Sequence, residues 1–318
     1  MNELLLAVIA VCFSGGLICL LLPEKARGTC WAVSTIISLV LFGLFCQLFS
    51  AKTVFTSTLF LWDGLASLAA LGVTFFGLVI SWASLAMIPE RYNQYYGYLL
   101  WTTGAGIGAV VANHLLLLAV FWGILAITLY LMINLAGPQA AYPAKKTFII
   151  VGGSDSFLLL GLSLLYVLSG RALFLSGIHL PIDSRLAAGA FFSLTVAALA
   201  KAGAMPVHTW IPEISEKTWV PVMAFLPASL DKLLGIYLLA RICLDLFSYQ
   251  EMFWFVLRLI GAVTIVAAVF MALIQHNMKK LLAYHAVSQV GYMVLGLASA
   301  NPVGILGGLF HMLNNAIY

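Results

Sequence analysis

The residues of this chain that could do chemistry are centred on Lys201, which opens the segment KAGAMPVHTWIP (201–212) inside an apolar run. A charge at membrane depth is costly and is usually retained because it takes part in function. Gly203, Pro206 and Pro212 follow closely, and such residues interrupt a helix and free backbone groups that need other partners. The pattern predicts a discontinuous helix with a buried base at its break, which is typical of a transport site near the middle of a bilayer.

The depth of Lys201 supports this interpretation. The apolar run begins near Leu186, so Lys201 lies on the order of 20 Å into it at helical rise. That is too deep for the amine to reach an interface comfortably. The alternative is a lysine that only fixes the end of a helix.

A second basic residue, Lys232, follows Asp231 directly in the apolar stretch PASLDKLLGIY (227–237). Consecutive residues on a helix point about 100° apart, so these two side chains do not face each other. We expect one to bond a neighbouring helix and the other to line an internal cavity. The alternative is a static charge pair that holds two helices together.

Asp155, in GGSDS (152–156), lies about ten residues past Lys145, which places it on the order of 15 Å below the surface. A lone carboxylate there needs a cationic or hydrogen-bonded partner. The alternative is a neutral carboxylic acid bonded to Ser154, Ser156 or the backbone.

Histidine can carry protons near neutral pH, although a hydrogen-bonded structural histidine is also common. Three histidines are candidates: one follows the predicted helix break and two lie in the last apolar segments, namely His208, His285 and His311. With Asp155, Lys201, Asp231 and Lys232 they complete the predicted proton path. Five of these residues could form a polar chain across five spans: Asp155, Lys201, Lys232, His285 and His311.

The elements that position these residues are membrane spans, because 63% of the 318 residues are hydrophobic and 8% are charged. We predict an all-α, polytopic transmembrane helix bundle with about ten complete spans, the seventh discontinuous: 3–22, 28–49, 60–87, 95–112, 114–136, 147–168, 186–205, 220–244, 252–275 and 281–298. A partial eleventh span begins near Val303 and runs to Tyr318 without a cap or loop. We therefore expect a truncated chain, either a gene fragment or one piece of a split polypeptide.

We predict a single transmembrane domain in three segments. Residues 1–112 form four N-terminal spans, residues 113–244 a first transport half with the helix break near 203–212, and residues 245–318 the incomplete start of a second half. Eight loop Lys and Arg residues lie on one face and four on the other. This imbalance predicts that the N-terminus lies outside. The membrane we expect is a prokaryotic cytoplasmic (inner) membrane.

Several function classes find no support in the sequence. No basic stripe indicates nucleic-acid binding. The five cysteines form no CxxC and no Cys/His cluster, so we predict no metal or iron–sulfur site. A GxGxG at 104–108 lies within a span, where close helix packing explains it better than a dinucleotide loop. We predict no catalytic residue and no cofactor in this chain.

The motifs resemble those of a known family. The segment 201–212, together with SLDKLLGIYLLAR (229–241), HNMKKLLAYHAVSQVGYM (276–293) and HMLNNAIY (311–318), is similar in order and spacing to the antiporter-like proton-translocating membrane subunits. These occur in respiratory complex I, in membrane-bound hydrogenases and formate hydrogenlyases, and in multi-subunit sodium/proton antiporters. The resemblance implies that Lys201 and Lys232 are the seventh-span and eighth-span lysines of the proton path. It implies that His311 is an eleventh-span histidine of the hydrophilic axis.

The chain departs from that family pattern at several places. The fifth-span glutamate is replaced by glycine in Phe121-Trp122-Gly123, and Asn315 stands where a histidine is common. The family continues for about three more spans with a second broken helix. For the missing acidic partner of Lys201 we rank Asp155 first and Asp231 second.

The sequence thus predicts a proton-translocating subunit of a complex I-like or hydrogenase-like redox complex. The expected partners are other membrane and peripheral subunits holding flavin, iron–sulfur, nickel–iron or quinone, with the lipid bilayer around them and protons or sodium as the ion. Two alternatives stay open: a member of a multi-subunit sodium/proton antiporter, or a non-pumping scaffold that lacks the fifth-span glutamate.

Overall fold

The computed structural model describes residues 1–317, with side chains for residues 1–315, so the predicted end of the eleventh span at Tyr318 lies outside the described residues. The α-helices are α1 (Asn2–Leu21), α2 (Arg27–Ser50), α3 (Gly64–Ala83), α4 (Tyr92–Val111), α5 (Leu115–Asn134), α6 (Pro138–Thr147), α7 (Gly153–Leu168), α8 (Arg185–Ala202), α9 (Trp210–Ser215), α10 (Val220–Phe225), α11 (Asp231–Arg241), α12 (Glu251–Leu273), α13 (Met278–Ala298) and α14 (Pro302–Ile317). This confirms the predicted helix bundle.

In the described chain, nine helical stretches are long and apolar enough to cross a membrane. They correspond to nine of the ten predicted complete spans. The remaining predicted span is the fourth, which corresponds to α4. This helix has 20 residues but carries polar residues such as Asn93 and Gln94 in its first turn. Most of α4 is buried against α1, α2, α3 and α5, so little of its surface needs to be apolar enough to face lipid.

A short β-hairpin interrupts the loop between α2 and α3 and was not predicted. Its strands are β1 (Phe55–Thr56) and β2 (Leu61–Trp62), antiparallel with Phe55 opposite Trp62. The following helix, α3, is capped by Asp63, whose side chain accepts a hydrogen bond from the Ala66 N–H at 2.8 Å. Such an N-cap satisfies one of the free donors of a helix start.

The described chain divides into two compact units. The first contains Met1–Lys145 and Thr218–Phe225. In it α4 packs so closely on its neighbours that a Cβ atom on Gly104 would lie 2.6 Å from the Cβ of Cys12 in α1. A Cβ atom on Gly108 would lie 2.6 Å from the ring of Phe121 in α5. The GxGxG is thus a packing motif, as predicted.

The second unit contains Lys146–Lys217 and the chain from Leu226 onward. Within it α8 packs against α7 and α11, and α13 packs against α9, α11, α12 and α14. The units differ from the predicted segments, whose boundaries were 112 and 244. The reason is that the segments followed chain order, whereas packing joins α7–α9 to α11–α14 across the intervening residues.

Candidate functional site

The predicted break in the seventh span is confirmed. Helix α8 is preceded by the N-cap Ser184, whose hydroxyl accepts from the Ala187 N–H at 3.1 Å, and is followed by the C-cap Gly203 with a φ of +81°. That left-handed conformation favours glycine, and a Cβ atom there would lie 2.1 Å from Ile211 Cδ1. A 3-10 turn (Val207–Thr209) and α9 then continue the chain.

Neighbouring side chains satisfy backbone groups around this break. The Trp210 indole Nε1–H donates to the carbonyl oxygen of Ala200 at 3.1 Å. The Met205 N–H donates to Thr264 Oγ1 of α12 at 3.2 Å. Irregular backbone at membrane depth is tolerated only where such partners exist, so these contacts explain how the break is kept.

The break positions Lys201 against a carboxylate. Lys201 lies in the last turn of α8 with an exposed fraction of 0%, and its Nζ is 3.4 Å from Asp231 Oδ1 in α11, which is 1% exposed. The sequence ranked Asp155 ahead of Asp231 as this partner. The structure instead places the second-ranked residue at ion-pair distance, and a role for Asp155 beside Lys201 stays a prediction.

A glycine allows this approach. Gly235 lies one turn after Asp231 on the same face of α11. A Cβ atom at Gly235 would lie 2.4 Å from the backbone nitrogen of Ala202 and 2.6 Å from the carbonyl oxygen of Ala198. The two helix backbones are therefore nearly in contact one turn away from the ion pair, which is the close packing that small residues permit in membranes.

Lys232 points to a different helix, as the spacing predicted. It is 1% exposed, and its Nζ donates to Asn315 Oδ1 of α14 at 2.5 Å. The consecutive residues Asp231 and Lys232 thus serve two separate contacts, one toward α8 and one toward α14. Asn315 is thus the hydrogen-bond acceptor for this buried amine.

Wide π-helical turns precede the acidic candidates. The turn Leu226–Leu230 comes directly before Asp231, and the turn Phe148–Gly152 comes shortly before Asp155. Pro227 in the first turn cannot donate a backbone hydrogen bond, which accounts for a local break in the regular ladder. Such turns occur frequently at functional sites.

Asp155 lies half-buried in the first turn of α7. The Ser154 hydroxyl donates to the carbonyl oxygen of Val151 at 2.5 Å, and its oxygen keeps lone pairs that can accept from a neutral carboxylic acid.

Two of the predicted histidines meet through a residue that the sequence analysis missed. His311 Nε2 of α14 lies 2.7 Å from Gln289 Oε1, and Gln289 Nε2 lies 3.2 Å from His285 Nε2. Both His285 and Gln289 are on α13, four residues apart. That i, i+4 spacing was the signal in the sequence, since it places two side chains on one helix face.

His208 lies in the turn after the break and is buried, with its ring centroid 6.3 Å from that of Tyr284 on α13.

A second ion pair near the break was not predicted from the sequence. Lys146 Nζ lies 2.7 Å from Glu213 Oε2 of α9, with both side chains about one-third exposed at 34%. This contact ties the short helix after the break to the start of the second unit.

The buried and half-buried polar side chains around the break can carry charge and exchange protons. They are Lys201, Asp231, Lys232, Asn315, His311, Gln289 and His285, which lie on α8, α11, α13 and α14. In the described part of the chain, no group of three or more His, Cys, Asp or Glu side chains could hold a metal ion. These residues include amines, a carboxylate and imidazoles, and proton relays in membranes are built from ionisable groups of this kind.

Comparison with known proteins gives the relatives of this chain. Residues 112–318 match the family model Proton_antipo_M, described as NADH:quinone oxidoreductase/Mrp antiporter, TM. The chain is 31% identical over 279 residues to an Na(+)/H(+) antiporter subunit of Alkalihalophilus pseudofirmus, covering 80% of this chain and 34% of that protein. It is 29% identical over 270 residues to the chloroplastic NAD(P)H-quinone oxidoreductase subunit 5 of Nymphaea alba, covering 81% of this chain and 36% of the relative. The chain thus spans about a third of the length of the curated relatives it matches.

Solved structures agree in fold. The structure of the Mrp complex from Dietzia sp. DQ12-45-1b matches with a TM-score of 0.88 and 26% identity, covering 98% of this chain and 36% of that chain. Respiratory complex I from Thermus thermophilus matches with a TM-score of 0.81 and 23% identity, covering 98% and 69%. The chain therefore belongs to the NADH:quinone oxidoreductase/Mrp antiporter transmembrane family and is an integral membrane protein of antiporter-like fold.

Proposed function

We propose that this chain is a proton-translocating subunit of a multi-subunit membrane complex and moves protons through its buried Lys, Asp and His side chains. The observation that carries the proposal is the Lys201–Asp231 pair, enclosed at a helix break. Two opposite charges removed from water are expensive to bury, and replacement by apolar residues is often neutral or stabilising. A buried ion pair at a helix break is therefore best explained by a part in proton transfer.

The chemistry of the pair suits a change of charge state. An amine and a carboxylate at 3.4 Å can be present as an ion pair or, after one proton moves from Lys201 to Asp231, as two neutral groups. Burial favours the neutral form and mutual attraction favours the charged form. The neighbouring amine of Lys232, next to Asp231 in the chain, can shift that balance by its own charge.

We infer that the complex is redox-driven, with flavin, iron–sulfur, nickel–iron or quinone held by partner subunits. Relatives described as NAD(P)H-quinone oxidoreductase subunit 5 support this inference. We further propose a prokaryotic cytoplasmic membrane, supported by the similarity to bacterial proteins. The imbalance of loop Lys and Arg supports an N-terminus on the outside.

A sodium/proton antiporter complex is the second candidate. It is supported by the similarity to an Na(+)/H(+) antiporter subunit and to a chain of an Mrp complex. The two candidates differ in the driving force. Proton movement that follows electron donation favours the redox complex, and proton movement that follows a sodium gradient favours the antiporter. A non-pumping scaffold, motivated by Gly123, would show neither.

The test is Lys201→Ala in the intact complex reconstituted in vesicles, with proton movement followed by a pH-sensitive dye. We expect loss of most proton movement while the complex assembles and, in a redox complex, its electron transfer centres remain loaded. The control is Lys217→Ala, which removes an exposed lysine after α9. Normal proton movement in the Lys201→Ala complex would refute the proposal.

A further inference from the structure

Gln289 stands between two histidines and contacts the same ring atom of each. Its Oε1 lies 2.7 Å from His311 Nε2, and its Nε2 lies 3.2 Å from His285 Nε2. One histidine precedes Gln289 by one turn on α13 and the other comes from α14. The amide is therefore the hydrogen-bonded link between the two imidazoles.

A primary amide is not symmetric in its hydrogen bonds. Its oxygen only accepts and its nitrogen only donates. A ring nitrogen that faces the oxygen must carry a hydrogen to bond it, and a ring nitrogen that faces the NH2 group must carry a lone pair. This holds whichever way round the amide is placed, because turning it over exchanges the roles of the two histidines without making them alike.

We propose that Gln289 is a positioning residue that holds His285 Nε2 and His311 Nε2 in opposite protonation states. In the observed arrangement, His311 Nε2–H donates to the amide oxygen, and the amide N–H donates to the lone pair of His285 Nε2. Its part in transport rests on the proposed function, whereas the coupling itself does not.

The coupling restricts the states that the pair can take. Two protonated Nε2 atoms would place a donor against the amide NH2, and two bare Nε2 atoms would leave the amide oxygen facing a lone pair. Each case sets two donors or two acceptors against each other in a partly enclosed place, which is unfavourable. Exchange between the two allowed states takes one proton onto one Nε2 and one proton off the other, with a half-turn of the amide.

The surroundings place this link next to the buried lysine. Asn315, which accepts from Lys232, lies one turn beyond His311 on α14. The ring of Tyr292 on α13 lies 5.7 Å from the ring of His311 at 69°. The acceptor for Lys232 and the ring of His311 thus lie within one short stretch of α14, and Gln289 transmits the state of His311 to His285.

The experiment is solid-state 15N NMR of the full chain in its reconstituted complex, with 15N-labelled histidine rings. His285→Asn and His311→Asn assign the signals. In the native protein we expect one protonated and one bare Nε2 in this pair. Gln289→Glu presents a carboxylate that accepts on both oxygens, so we expect both Nε2 atoms to become protonated. Two identical Nε2 atoms in the native protein would overturn the proposal.

A second variant guards against a folding defect. Gln289→Met keeps the length of the side chain and removes both the donor and the acceptor. We expect the protonation of one Nε2 to become independent of the other. If one Nε2 stays protonated and the other bare in this variant, the proposal is contradicted. The Lys201→Ala vesicle assay tests the proposed function separately. If the native protein shows one protonated and one bare Nε2 but Lys201→Ala moves protons normally, only the proposed function is refuted. If Lys201→Ala loses proton movement but the two native Nε2 atoms are identical, only the coupling is refuted.

Discussion

Lys201 Nζ and Asp231 Oδ1 lie 3.4 Å apart, and both side chains are buried. The lysine comes from the last turn of α8, and the aspartate follows the wide turn Leu226–Leu230 within the helical stretch Val220–Leu246. A cation at a helix C-terminus interacts favourably with the local helix dipole. The backbone of α8 therefore favours the charge of Lys201.

Removal of one partner is expected to destabilise the protein more than removal of both. Lys201→Ala or Asp231→Ala alone removes one charge of a buried pair, at a cost of about 3–5 kcal/mol. The double variant removes both charges of the pair, so its midpoint of thermal unfolding in detergent should lie above those of both single variants. A double-mutant cycle measures the difference.

The matched control for this cycle is the Lys146–Glu213 pair, which is about one-third exposed at 34%. Exposed pairs contribute about 0–1 kcal/mol, so Lys146→Ala and Glu213→Ala should change the unfolding midpoint little. Equal effects at the two pairs would mean that burial of Lys201 and Asp231 does not decide their energetics.

Gly235→Ala should separate α8 from α11. The added methyl group would lie 2.4 Å from the Ala202 backbone nitrogen, so the helices must move apart at a cost of about 1–3 kcal/mol. Because Asp231 lies one turn away, we expect lower proton movement as well as lower thermal stability. Gly123→Ala is the control, since nothing lies within 4 Å of a Cβ atom there. If Gly235→Ala has the same unfolding midpoint and the same proton movement as the unchanged protein, the packing argument is contradicted.

Gly203→Ala should disturb the helix break itself. The left-handed φ of +81° costs a residue with a Cβ about 1–2 kcal/mol, and the new methyl group would also overlap Ile211 Cδ1. We expect a lower unfolding midpoint together with reduced proton movement, measured in the same vesicles. Gly189→Ala, also in α8, is the comparison, because its Cβ atom would meet only Leu164 Cδ1 at an ordinary 3.6 Å. Equal behaviour of the two variants would show that the φ of Gly203 is unimportant.

The sequence by itself determined the helical membrane class, most of the spans and the break after Lys201. These features depend on local chemistry. Runs of apolar residues near the length of a bilayer are readable without any partner, and Gly203 with Pro206 interrupts a helix wherever it lies. It also determined that Asp231 and Lys232 diverge, because their angular separation follows from helix geometry alone.

Only the tertiary structure decided which partners these residues take. The choice of Asp231 for Lys201 depends on the close approach of α8 and α11 at Gly235, and the sequence ranking favoured Asp155. The bond from Lys232 to Asn315 spans 83 residues, and the His285–Gln289–His311 link joins two helices. Partner choice between helices is fixed by their relative position and rotation, which arise from packing over the whole surface and leave no periodic signal within either segment.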